Sequence, residues 1–485
     1  MNKKKLGWVY GLMAMFIVLN TYFISQEKFF FMLIPLMLLV GLLFLFSLDR
    51  LLLLIAFLTP LSVNLKDSEL GAAISVPAEP LLVGVMILFV IKMLLEGGID
   101  RRVIRHPISL AILFYLFWIG ITTLTSTMPW VSVKSLVARL WFIIPMFYLG
   151  TQLFRDHRNI RRFIWLYAAG LIVVIHYTVI RHAQFGFNED IGHFVMRPFY
   201  NDHTAYGAMQ AFFLPMLAHL AFSKRYTRSM RILAMIAGAY LLSGLFLSFS
   251  RAAWISVVGA LGVYVLFSLR IKFQWIALSL VTVVLLFYSF QHQIIERLER
   301  NKQDSSKDLV EHIRSITNIS SDASNLERIN RWQSALRMFR EKPVWGWGPG
   351  TYQFTYAPFQ HSKERTIIST NVGDLGNAHS EYIGPLSETG LPGMLSVLLL
   401  VVLIIYYGLK MARHGRTATV RNLSLAATLG LISYFLHGLL NNFLDTDKAA
   451  VPFWAFVAII VSLNVYTGTG REDEETAADK QDLQE

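Results

Sequence analysis

"LPGMLSVLLLVVLIIYYGLKMARHGRTATVR", Leu391–Arg421, joins an uncharged apolar run to a cluster of lysine and arginine. From Leu391 to Leu409 no residue is charged, and the run is long enough to cross a hydrocarbon layer about 30 Å thick as a helix. Cations at the end of such a run mark its cytoplasmic side. The same pairing recurs through most of the chain, and that recurrence decides the fold class.

The chain has 485 residues, 54% of them hydrophobic and 16% charged, more apolar surface than one soluble core can hide. Apolar spans centre near Met15, Pro35, Ala56, Met86, Phe117, Ile144, Gly170, Leu214, Gly238, Gly259, Val283, Leu400, Leu431 and Ala458. The short alternating strands of a β-barrel are missing. The expectation is therefore an all-α polytopic membrane protein of about 12–14 transmembrane helices, with a large extracytoplasmic helical loop before the last three. The opening "MNKKKLGWVYGLMAMFIVLNTYFIS" runs long and lacks a small-residue cleavage site, so it reads as a retained first helix.

The net charge of +12 comes from clusters between the apolar runs, not from one face or tail. It reads as topogenic charge, and nucleic acid is not an expected partner. Every second connection is basic, among them "DRRVIRH" from Asp100, "RDHRNIRR" from Arg155 and "SKRYTRSMR" from Ser223, which places both termini in the cytoplasm. Cysteine is absent, removing disulfides, thiolate metal sites and cysteine nucleophiles. No internal repeat is evident, which weighs against repeat-built transporter folds. Four regions follow: an N-terminal transmembrane bundle over residues 1–290, an extracytoplasmic catalytic loop over 291–390, C-terminal transmembrane helices over 391–468 and a disordered cytoplasmic tail over 469–485.

The polar stretch before Gly390 holds most of the candidate chemistry. "SNLERINRWQSALRMFREKP" has Ser324 and Glu327 at capping-box spacing and stops before Pro343, so a helix is expected. Its periodicity puts Arg328 with Trp332, Ala335 and Phe339 on the protein-facing side and Arg337 nearly opposite. A buried guanidinium needs an anionic partner; a loop carboxylate and a phosphate group are both open. Arg251, in "SFSRAAWIS", sits between two apolar runs, either snorkelling to headgroups or holding an anionic ligand. "PVWGWGPGTYQF" lacks the Lys-Ser/Thr of a phosphate loop; it is a turn, or one whose Trp345, Trp347 and Tyr352 lie on a sugar or at the membrane interface.

"GNAHSEYIGPLSETG", Gly376–Gly390, offers Asn377 as a helix N-cap with His379 in the first turn. The positive helix end would keep the imidazole neutral, as a general base requires; a purely structural histidine is the other reading. Glu388 is expected to bond locally or orient the site. No metal-ligand spacing is present, and neither metal nor cofactor is expected. The connection "RHAQFGFNEDIGHFVMRPFYNDHTAYGAM" supplies Arg181, Arg197, Asn201, Asp202 and His203, for an acceptor cleft or simply a capped polar loop.

Taken in order, "SFSRAAW", "ERINRWQSALRMFREKPVWGWGPGTY" and "AHSEYIGPLSETGLPG" resemble the O-antigen ligase and polymerase family. The resemblance implies a glycosyltransferase of the bacterial plasma membrane that works on its outer side in polysaccharide biosynthesis. The donor would be an undecaprenyl-diphosphate-linked glycan and the acceptor a lipid A core or another glycan; polysaccharide-assembly proteins are possible partners. Arg251 and Arg328 match the family arginines proposed to hold the diphosphate, and His379 the histidine proposed to activate the acceptor without metal, by single inverting displacement. Trp345, Trp347, Tyr352, Arg197 and Glu388 complete the expected substrate-binding set. The chain departs from the family at Ser380, where asparagine is usual. Ligase and polymerase both stay open, and a lipid-linked oligosaccharide flippase is the rival from another class.

Overall fold

The computed structural model describes residues 3–28, 31–32, 34–67, 72–271, 326–366, 369 and 376–468. The expected span near Val283, the capping residue Ser324 and the tail from 469 lie outside them.

The protein is an all-α polytopic membrane protein. Among the described residues nine helices are long and apolar enough to cross a bilayer: Ala78–Glu96, Pro107–Leu124, Pro129–Leu153, His157–Ala183, His203–Phe222, Arg228–Phe246, Arg251–Ser268, Ile383–His414 and Asp447–Thr467. Each contains or borders one of the expected centres. The remaining described centres fall in other helices. Ile34–Phe46 and Leu48–Leu58 have only 13 and 11 residues, short of the roughly 20 that a span requires, and Lys3–Ser25 contributes a short apolar stretch, Met13–Ser25.

Ala418–His437 has a different character. It packs against four other long helices and buries Ser424, Thr428 and Ser433. The Ser424 hydroxyl donates to the Gly408 carbonyl at 2.8 Å, and a Cβ on Gly408 would stand 2.1 Å from Thr428 Oγ1. Small residues thus let two helices approach closely, at the expense of the hydropathy by which spans are recognised.

The bundle is built around Asp447–Thr467, whose spanning window is 83% buried, against 22% for Arg251–Ser268 at the periphery. Near its start a buried charge pair ties three segments together. Lys448 Nζ lies 3.7 Å from Asp447 Oδ2 and donates to the carbonyls of Thr59 and Ser62 at 2.5 and 2.6 Å, while Tyr167 donates to the Lys448 carbonyl at 2.7 Å.

Two departures from the expected all-helical run are local. Val63–Asp67 and Ala72–Val76 pair as an antiparallel hairpin, Val63 opposite Val76, too short to register beside the apolar spans. In Pro129–Leu153 the segment Ile144–Leu149 is a π-helix containing Pro145; proline lacks an N–H and crowds the preceding turn, and a wider turn absorbs both effects.

The helices alternate between two faces. On one, the connections beginning at Gly97, Phe154, Ser223 and Gly415 carry the basic clusters: Arg102 and Arg155 both lie over the Tyr466 ring, at 5.5 and 5.3 Å, and Arg413 over Phe267 at 5.3 Å. On the other sits a cap made of helix 326–341, the turns through residue 366 and the segment 376–382. The cap has its own small core of Ala335, Met338, Tyr352, Tyr356 and Ala378.

Candidate active site

The cap is held to the bundle through a broken helix. Ile383–His414 is interrupted at Gly390, with φ 70° and ψ −171°, and Pro392 has no N–H to give back to it. The carbonyls stranded ahead of the break are taken up by the glycine-rich turn. Trp347 N donates to the Ser387 carbonyl at 3.1 Å and Gly348 N to that of Glu388 at 2.8 Å, and Trp118 Nε1 donates to that of Thr389 at 2.8 Å. A Cβ on Gly390 would lie 2.1 Å from the Val344 carbonyl oxygen, so this crossing admits only glycine.

That turn also fixes the aromatic residues. Trp345 is 46% exposed and stacks on Trp118, centroids 5.4 Å apart, leaving it able to offer a ring face. Trp347 donates to the Met338 carbonyl at 3.0 Å with Lys342 over its ring at 4.3 Å. Tyr352 is 2% exposed, stacked on Tyr356 and donating to the Arg331 carbonyl at 2.8 Å. The Tyr352 ring packs in the cap core and at the same time lines a cavity beside the cap. Glu388 Oε1 accepts from Tyr352 N at 3.1 Å.

Helix 326–341 brings two arginines to the site, where the sequence singled out one. Arg328 is half-buried as expected; burial lowers its pKa and Asp202 opposes that shift. Arg331, three residues further along, is 5% exposed. Its Nε donates to Glu327 Oε1 at 2.8 Å and its Nη1 to the Asn377 carbonyl at 3.2 Å, with Tyr356 beneath it at 5.1 Å. A Cβ on Gly376 would collide with the Arg331 guanidinium. Burial acts to raise the Glu327 pKa, but hydrogen bonds from Ser369 and Arg331 prevail and hold it below the usual range. Arg337, expected to face away, is tied to Glu364 and to the Phe359 carbonyl at 2.7 Å.

His379 is not in a helical turn. Its φ is 48°, in the left-handed region sparsely used by residues other than glycine, and its amide donates to Asn377 Oδ1 at 3.1 Å. The helix begins at Ile383, and the groups that meet its first amides belong to Ser380, whose Oγ accepts from Tyr382 N at 3.3 Å and Ile383 N at 3.4 Å. The imidazole is nonetheless kept neutral, for another reason than the helix end: burial, then the positive charges of Arg331 and Arg328, push its pKa down to about 4. Glu381 fixes the far end of the segment. Its Oε1 accepts from Tyr434 OH at 2.6 Å, Phe443 N at 2.7 Å and Leu444 N at 3.0 Å, and burial followed by Asp445 raises its pKa to about 7.

Two further corners close on this group. In "SFSR", Phe249 takes φ 50° and Ser250 Oγ accepts from Ala253 N at 3.3 Å, starting Arg251–Ser268 with Arg251 exposed at its first turn. His437 meets the backbone of Ala252 and feels Asp202 and Arg328. Asp202 caps His203–Phe222, accepting from Thr204 N at 2.7 Å, and acts electrostatically on Arg328, His379 and His437. Arg197 stands apart, exposed, its guanidinium over Phe194 at 5.0 Å.

Residues 236–398 match a family model described as O-antigen ligase. The match covers about a third of the chain. The matched stretch takes in the Arg251 corner, helix 326–341, the glycine-rich turn, His379 and the Gly390 break; Asp202 and His203 lie outside it. No curated protein matches the chain. Of the expected residues, Arg328 and His379 lie within mutual electrostatic range and Arg251 starts the helix against which His437 rests. Arg331 went unmarked, and Glu327 was marked only as a capping-box residue, because an i, i+4 Glu-Arg pair on a polar helix ordinarily signals a solvated face.

Proposed function

We propose that this chain is a transferase of the O-antigen ligase type, which passes a glycan from an undecaprenyl-diphosphate carrier to a hydroxyl of an acceptor glycan or lipid A core. The reading rests chiefly on a neutral histidine beside two arginines, Arg328 and Arg331, that lower its pKa. Guanidinium groups pair well with phosphate oxygens, and Arg251 adds a third cation at a helix start, itself favourable to anions. His379 takes the proton from the acceptor hydroxyl as that oxygen bonds to the anomeric carbon. The anomeric C–O bond breaks on the opposite face, its electron pair leaving with the diphosphate, and the configuration inverts. The arginines neutralise the charge that grows on the leaving oxygen. No covalent glycosyl-enzyme is needed.

The basic face of the bundle is the cytoplasmic one in this reading, which sets the cap and the reaction on the outer side of the plasma membrane. Purified protein with lipid-linked glycan and acceptor should give covalent product, and His379→Ala should abolish it while donor still binds. Full activity of that variant, or translocation without product, overturns the proposal.

A further inference from the structure

A cavity of about 470 Å³, within the size range of small-ligand sites, is lined by part of the 377–381 segment and by neither Arg328 nor Arg331. Asn377, Ala378, Ser380 and Glu381 line it while His379 does not, so this segment is a wall with the histidine on one side and the cavity on the other. Asn201, next to Asp202, lines it as well.

The lining chemistry differs from that of the arginine side. Glu79, Glu381, Glu388 and Asp445 contribute carboxylates, against a single cation, Arg139. That guanidinium is already engaged: with Asp445 at 3.1 Å, the Tyr115 hydroxyl at 3.0 Å and the Ser135 carbonyl at 3.2 Å. A diphosphate would find carboxylates and no uncommitted cation here. Among the described residues Glu381 takes its three protein bonds on Oε1. The lining amides Asn64 and Asn442 hold carbonyl oxygens to which nothing among the described residues donates. Acceptor-rich walls with the aromatic rings of Tyr115, Phe142 and Trp454 suit hydroxyl-bearing rings with one polar edge and one apolar face.

We propose that this cavity seats a sugar ring of the accepting glycan that carries no net negative charge, with the 377–381 wall keeping it apart from the donor diphosphate. The assignment to an acceptor rests on the transferase reading; the chemical selectivity does not. Ligand and diphosphate are thus sorted by charge; His379 lies on the diphosphate's side of the wall, and the reacting hydroxyl belongs to a neighbouring ring of the glycan that reaches past the wall to it.

The test is saturation-transfer NMR on the full chain in detergent with three probes: methyl β-glucosaminide, methyl β-N-acetylglucosaminide and methyl β-glucuronide. The first two should give signals at least about fivefold above the glucuronide, unaffected by excess inorganic pyrophosphate. Asp445→Lys, at a half-exposed side chain, should narrow that ratio by raising the glucuronide signal, and Asn442→Leu should weaken the N-acetylglucosaminide signal. Equal signals from all three probes, displacement by pyrophosphate, or a ranking unchanged in Asp445→Lys overturns the proposal. If covalent transfer occurs but the ranking is missing, this inference alone fails; if the ranking appears without transfer, the transferase reading fails and the sugar site stands.

Discussion

At the scale of single residues the chemistry turns on how His379 is held. A pKa of about 4 makes the imidazole available at neutral pH but a weak base, since proton transfer is most effective when the pKa lies near the working pH. In the proposed reaction donor binding supplies the correction: a diphosphate set against Arg328 would cancel part of the charge that depresses His379, so its pKa should rise in the complex. The acid limb of kcat/KM, which reports the free enzyme, should therefore lie near pH 4, and that of kcat should lie at higher pH; coincident limbs would exclude His379 as the base. Stability follows the same sign. The folded state binds fewer protons than the unfolded chain between about pH 4 and 6.5, so the His379 contribution is full above that window and is lost as pH falls through it.

Arg331 gives a second test at this scale. Its side chain and that of Glu327 are 7% and 4% exposed, and removing one member of such a pair leaves the other charge buried. Arg331→Met should destabilise the cap by roughly 3 kcal/mol, visible as a lower thermal midpoint, with loss of transfer. Arg331→Lys should recover only part of this, because one ammonium cannot reach both Glu327 and the Asn377 carbonyl.

Among the elements, the Gly390 break and the Ser380 turn carry the site. Gly390→Ala puts a methyl group against the Val344 carbonyl and forces a left-handed φ on alanine, so the 343–350 turn should detach. Limited proteolysis would then cut near Trp345 in the variant but not in the parent. Ser380→Ala should cost about 1 kcal/mol through the lost cap, and Ser380→Asn, which restores an oxygen acceptor, should melt like the parent. The residue at which the chain leaves the family pattern is in this sense a backbone anchor.

The helix of the cap was legible in its sequence because apolar periodicity and Pro343 act locally. The left-handed His379 was not, since Asn377 followed by a polar stretch reads equally as an Asx turn or an N-cap, and only the Arg331 bond to the Asn377 carbonyl and the Glu381 bonds to residues 443 and 444 decide between them. Nor was the core packing of Tyr352 legible: glycine-rich turns with aromatics look alike whether the rings face a ligand or a core.

At the scale of the whole molecule, the bilayer made the fold readable. Hydrocarbon demands long apolar helices, and nine of the expected centres meet that demand in place. The demand relaxes for helices shielded by other helices, which explains why Ala418–His437 carries serines and threonines where a lipid-facing span would not. Sidedness can be tested directly, because the chain has no cysteine. Cysteine placed at Lys363 in the cap should react with an impermeant maleimide in intact cells, whereas cysteine at Lys224 on the basic face should react only after permeabilisation; the reverse pattern would invert the topology.

The burial of Asp447–Thr467 also bears on how the protein is made. This axial helix leaves the ribosome after the neighbours that enclose it, so the nascent bundle must wait with an unfilled centre, occupied by lipid or by the insertion machinery. Lys448 then has to thread between Thr59 and Ser62, on a segment synthesised nearly four hundred residues earlier. Assembly is therefore expected to be a late, concerted closure, and a ribosome stalled before residue 447 should yield inserted helices that remain open to proteases.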